Sequence, residues 1–179
     1  MFDTTMHAEI ALGRGDVDTG LHLWRTVAAT LRVTRRPGPG GNLSGLDSWA
    51  LQVQAIAVVA HAHHGRLGLV AEITGALPAA LSALTADPGP PPGTLAASYG
   101  LAVCGSLLLA LAVTDIDRGQ RAADAGWARS GARMIALAER FGLRNGLQPT
   151  MSAARAGLDP AGLRAAARAA LRARDPVSG

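Results

Sequence analysis

The chain has 179 residues, of which 49% are hydrophobic but only 3% aromatic, and it carries a formal net charge of +4. That length suits one well-buried core and is short for two, and alanine and leucine as the main apolar filler, without period-two β-branched runs, point to an all-α fold. All 17 basic residues are arginine, so chemistry that needs a lysine in this chain, such as a Walker A phosphate loop or a Schiff-base site, is excluded.

The first segment, Phe2 to Leu12, reads as a short helix with Ala8, Ala11 and Leu12 on one side, closed by Gly13. A tight Gly-Arg-Gly-Asp turn leads to a second helix capped by Asp16. In it Val17, Leu21, Trp24, Ala28 and Leu31 recur at the spacing of a buried stripe. Helices joined by so short a turn are expected to pack antiparallel. Gly13-x-Gly15 does not make a phosphate loop, because no strand precedes it and Asp18 stands where the third glycine would be.

Val33 to Gly45 is a loop by its proline and glycine content. A third helix is expected from Leu46-Asp47 to about His64, ended by Gly65. Asp47 would cap it, Leu46 and Leu51 would staple the cap, and Trp49, Val53, Ile56 and Ala60 would continue the stripe. The next helix, about Leu67 to Ala86, contains Pro78, which predicts a kink or division near Ala76 to Leu77.

After a Pro/Gly linker, Asp87 to Gly93, comes the most apolar stretch of the chain, Thr94 to Thr114, with no charged residue. Thr94 is placed to cap it, and Asp115, Asp117 and Arg118 beyond it can face water again. Leu95, Leu101, Leu107, Leu108, Leu109, Leu111 and Val113 leave no polar side, so 95–113 is expected to be a buried central helix around which the others are arrayed. About 20 apolar residues suffice to cross a bilayer. Ser98, Tyr99, Ser106 and the small residues dilute this run, and no cluster of positive anchors flanks one side, so it is expected to be covered by protein.

Gln120 to Phe141 is the most clearly amphipathic stretch. Ala123, Trp127, Met134, Ala138 and Phe141 form its apolar stripe, and Asp124, Arg129, Arg133 and Arg140 lie mainly elsewhere. Gly142 is expected to end it, and Pro149 to begin a shorter helix. The last helix, Pro160 to about Ala173, opens with Asp159 as cap and Pro160 at the first helical position. Arg164, Arg168 and Arg172 repeat one turn apart along one edge of it, with no acid in the helix interior to pair with them, and are candidates for binding a partner. Residues 1–175 are thus expected to form a single helical-repeat domain, and 176–179 to fray.

From Asp115 onward eleven arginines face six acids, so the C-terminal third is basic. No aromatic residues interleave with these arginines and no nucleic-acid-reading motif is visible, which favours a solvated face or a protein partner over specific DNA or RNA binding. His61, His63 and His64 are the one cluster of metal-capable residues, and His61 and His64 share a helix face. Without a nearby cysteine or acid they read as surface histidines at a helix C-terminus, so neither a metal nor a cofactor is expected. Cys104, the single cysteine, reads as an inert buried thiol. No Gly-x-Ser-x-Gly elbow occurs and no strand is available to present one, so no enzyme is expected. Trp24, Trp49 and Trp127 read as core anchors. Asp3, His7 and Glu9 do not make a signal peptide, and a cytoplasmic location is expected.

Three blocks carry a likeness to a known family: GLHLWRTVAATLRVTRRPG (Gly20 to Gly38), SGLDSWALQVQAIAVVAHAHHG (Ser44 to Gly65) and ARMIALAERFGLRNGLQPTM (Ala132 to Met151). Through Gly20, Leu21, Arg25 and Arg36-Pro37-Gly38 in the first, Gly45, Leu46, Trp49, Ala50, Leu51, His61 and His64 in the second, and Ala138, Phe141 and Pro149 in the third, the chain resembles the tetratricopeptide-like C-terminal helical region of bacterial transcriptional activator domain regulators of the antibiotic-regulatory-protein type. The resemblance implies a scaffold or partner-binding module in transcriptional control. Its partner would be a regulator, or the N-terminal domains such regulators carry. The alternative expectation is a small-molecule or metal sensor using a pocket between the helices.

Overall fold

The computed structural model describes residues 2–33, 45–86, 95–141 and 150. They form six α-helices, with no strand among the described residues: α1 (Phe2–Gly13), α2 (Val17–Val33), α3 (Gly45–His63), α4 (Ala71–Ala86), α5 (Leu95–Ala122) and α6 (Ala125–Arg140), with a 3-10 helix at Leu67–Val70 leading into α4. The all-α expectation holds. Packing runs from α1 to α2, α2 to α3, α3 to α5 and α5 to α6, and α4 lies against both α3 and α5.

The turn after α1 shows how local chemistry sets the first pair. The backbone N–H groups of Gly15 and Asp16 bond the carbonyls of Leu12 and Ala11, and Gly15 adopts a left-handed φ of 81°. This is a Schellman closure, which glycine enters without a steric penalty. The helix is therefore closed by Gly15, not by Gly13, which remains helical. Asp16 then caps α2 as expected, its carboxylate accepting from the Thr19 N–H at 3.3 Å. Leu21, Trp24, Val27, Ala28 and Leu31 are buried, the stripe that the spacing predicts.

The third helix departs from a one-sided stripe. Every residue of α3 from Val53 to His61 is buried, because α2, α4, α5 and the 3-10 helix enclose it from several directions. The centre of the molecule is thus shared between α3 and α5. The helix begins at Gly45, so Asp47 stands within its first turn instead of capping it; of the two staple residues Leu51 is buried in the core, and the side chain of Leu46 lies outside the described residues. A second Schellman closure ends it, with Gly65 at φ 67° and the Gly65 and Arg66 N–H groups on the Ala62 and His61 carbonyls. Arg66 then pairs with Asp18, tying this turn to α2.

The predicted division near Ala76 to Leu77 falls elsewhere, at the Val70/Ala71 boundary between the 3-10 helix and α4. Pro78 is inside α4 and on its exposed side, away from the residues that fasten the helix to the core. Buried Leu67, Val70, Ile73, Leu77 and Ala80 fasten this segment to the core.

The central helix is longer than 95–113. Val103 to Ala110 of α5 are continuously buried, but the helix does not stop at Thr114; it runs to Ala122. Ile116 and Gly119 keep the buried stripe going, and Asp117 and Arg121 pair at 3.0 Å one turn apart at its edge. Charges do not by themselves end a helix when they can stay at its surface, as Arg118 and Arg121 do here. Nor is the apolar run covered on all sides, since Leu101 is 48% exposed. The position expected to cap it, Thr94, lies outside the described residues.

Candidate functional site

The expected continuous helix from Gln120 to Phe141 is two elements. Ala123 takes a left-handed φ of 49° at the end of α5, and the Asp124 N–H closes back on the Gly119 carbonyl. Asp124 then turns extended (φ −107°, ψ 110°) and caps α6 by accepting the Gly126 N–H at 2.7 Å. α6 thus starts only two residues after α5 ends and packs on it, with Ala125, Gly131, Ile135 and Ala138 buried.

That packing decides what α6 shows to water. At 100° per residue, Arg129, Arg133 and Arg140 fall within about 40° of one another, opposite buried Gly131, Ile135 and Ala138, and all three are exposed. The Arg129 Nε donates to the Ala125 carbonyl at 3.3 Å, which steadies the root of its side chain. Beside this ridge runs a strip of small and apolar residues, Gly126, Ser130 and Leu137, and Leu137 is 42% exposed. An open groove of about 420 Å³ lies along the same side, lined by Gly126, Arg129, Ser130, Arg133 and Met134. The nearby acids are engaged: Asp117 with Arg121, and Asp124 with the Gly126 N–H.

Trp127, expected as a core anchor, is instead 37% exposed, with the Arg118 guanidinium carbon 4.5 Å from its ring centroid. The turn at Ala123 sets α6 so that the Trp127 edge of the stripe is partly exposed. Trp24 is buried and Trp49 is packed against the core, as expected.

His61 is not a surface histidine. It is buried, its Nδ1 lies 2.7 Å from the Ala57 carbonyl, which fixes that nitrogen as the proton donor, and its Nε2 has no partner among the described residues. Burial pulls its pKa below the ordinary value, with Arg25, His64 and Arg66 adding to the effect against the Ala57 hydrogen bond. Burial likewise lowers His64. Among the described residues no group of three histidine, cysteine or acidic side chains is gathered as a metal would need. Cys104 is buried, and burial pushes its thiol pKa up.

The arginine row foreseen as partner-binding, Arg164, Arg168 and Arg172, lies outside the described residues. The ridge on α6 has the same character and was legible in the four- and seven-residue spacing of Arg129, Arg133 and Arg140. What the spacing lacked was the direction of the buried face. Two segments, Leu67–Thr85 and Gly100–Ala122, are long and apolar enough to cross a membrane; 28% of the first and 61% of the second are buried within the protein. Compared with protein-family models, curated proteins and solved structures, the chain matches none.

Proposed function

We propose that the chain is a non-catalytic interaction module, a tetratricopeptide-like array of antiparallel helix pairs that serves a bacterial transcriptional regulator in the cytoplasm. The observation that carries this reading is the outward face of α6, where three exposed arginines and the exposed Leu137 flank an open groove with no helix of the described residues packed over it. A surface that joins cationic and apolar groups is suited to another protein. The antiparallel pairing is supported by the order of contacts between α5 and α6: Gly119 lies by Ala128, and Gly131 by Ile116 and Ala112. The resemblance carried by Gly20-Leu21, Trp49 and Phe141 supports the family reading.

The test is affinity purification of the tagged chain at native expression level, with proteins identified by mass spectrometry and bound metals and small molecules by elemental and metabolite analysis. A stoichiometric regulator protein is the expected outcome. A stoichiometric metal or small molecule without a protein partner would replace this reading with the sensor.

A further inference from the structure

The arginine ridge of α6 has a spacing that selects one kind of occupant. Arg129 and Arg133 are one helical turn apart, about 6 Å along the axis, and Arg140 lies about 10 Å further on. An acidic α-helix laid alongside has the same rise, so carboxylates four and seven residues apart meet all three guanidinium groups in register. The strip beside the ridge adds a second requirement. The small residues Gly126 and Ser130 line the groove, with the Asp124 carboxylate beside Gly126, and Leu137 stands half out of the surface at its end, so the partner must bring apolar side chains on the edge adjoining its acids. Arg133 and Arg140 have no acid partner among the described residues, and Glu139, the other charged residue of this turn, is itself engaged. No aromatic side chain lies on the ridge to stack a base, which weighs against nucleic acid.

We propose that α6 is the docking face for an acidic amphipathic helix of a partner protein, held by Arg129, Arg133 and Arg140 and seated on Leu137 and the groove at Gly126 and Ser130. This rests on the interaction-module reading and specifies its partner.

The experiment is a fluorescence-anisotropy titration of the full chain with a labelled peptide of roughly 18 residues, five helical turns. It carries glutamates spaced four and seven apart with leucines on the adjoining edge. Binding is expected at low salt, weakening as ionic strength rises. The triple variant Arg129→Gln, Arg133→Gln, Arg140→Gln is expected to lose about tenfold or more in affinity, and Leu137→Ser several-fold. Circular-dichroism melts that match the parent's confirm that both variants are folded. Equal affinity of parent and triple variant overturns the proposal. So does equal affinity for a glutamate peptide without leucines, which would be a mere polyanion response, or tighter binding of duplex DNA. The triple variant also separates this proposal from the reading beneath it. If the native regulator still co-purifies with that variant, the face is wrong and the module stands; if the parent captures no regulator, the module reading is lost while the titration still judges the face.

Discussion

Gly131 of α6 lies so close to Ile116 of α5 that a β-carbon on it would stand 2.6 Å from the Ile116 Cγ1 and 2.8 Å from the Ala112 carbonyl oxygen. The isoleucine side chain can yield, but the backbone oxygen cannot without moving α5. Gly131→Ala therefore sets a helix-propensity gain of up to about 1 kcal/mol against an overpacking cost of about 1 to 3 kcal/mol. Net destabilisation is expected, with a melting temperature lower by a few degrees, since about 1 kcal/mol corresponds to ~2 to 4 °C at this chain length. A differential scanning calorimetry trace at or above the parent's would show that α5 and α6 do not approach so closely.

The turn between the same helices holds Ala123 at a positive φ of 49°, in the position that Gly15 and Gly65 occupy in the other two closures. An L-residue there costs roughly 1 to 2 kcal/mol that glycine avoids, partly offset by the greater freedom of glycine in the unfolded chain. Ala123→Gly is expected to raise stability by about 0.5 to 1 kcal/mol in urea titrations. Ala123→Val, whose branched side chain fits this region poorly, is expected to lower it.

Burial of His61 gives stability a pH dependence of definite sign. Its folded-state pKa lies below the ordinary 6.5 at which it titrates when unfolded. Above that value the ring is neutral in both states and the contribution is fully present. As pH falls below 6.5 the unfolded chain binds a proton that the folded chain refuses, so stability declines until the lowered folded pKa is passed. Urea denaturation between pH 8 and pH 5 should show this loss. His61→Gln should flatten the slope whatever it does to the absolute level, and His64→Gln should flatten it less, since His64 is only half-buried. A His61→Gln profile as steep as the parent's would locate the titrating group elsewhere.

Two leucines separate the core from its edge. Leu51 of α3 is fully buried and Leu101 of α5 is 48% exposed, although both come from strongly apolar stretches. Leu51→Ala should cost about 2 to 5 kcal/mol, whereas Leu101→Ala should stay within roughly 0.5 kcal/mol. The reverse order in chemical denaturation would return the centre of the molecule to the N-terminal part of α5 and take it away from α3.

The α2 stripe could be read from residue spacing alone because it depends on contacts with one side: Leu21, Trp24, Ala28 and Leu31 repeat with the helical period and are buried together. Asp16 was equally legible, since a cap is a bond within one turn. Where several helices compete for a surface, period does not decide. Trp127 and Met134 sit on the same apolar stripe as Ala138, but the turn at Ala123 aims α6 so that Ala138 is buried and Trp127 is partly exposed under Arg118. His61 reads as a surface residue at a helix end because nothing local signals that the elements packed against α3 bury it. The helical class, the apolar stretches and the spacing of Arg129, Arg133 and Arg140 follow from residue order alone, since all are properties of composition and a 3.6-residue repeat. That α3 shares the centre with α5, that α5 continues past its first charges, and that the arginines face outward together emerge from the folded arrangement. Each of these depends on which surfaces meet across distant parts of the chain, and that is settled by packing, not by local propensity.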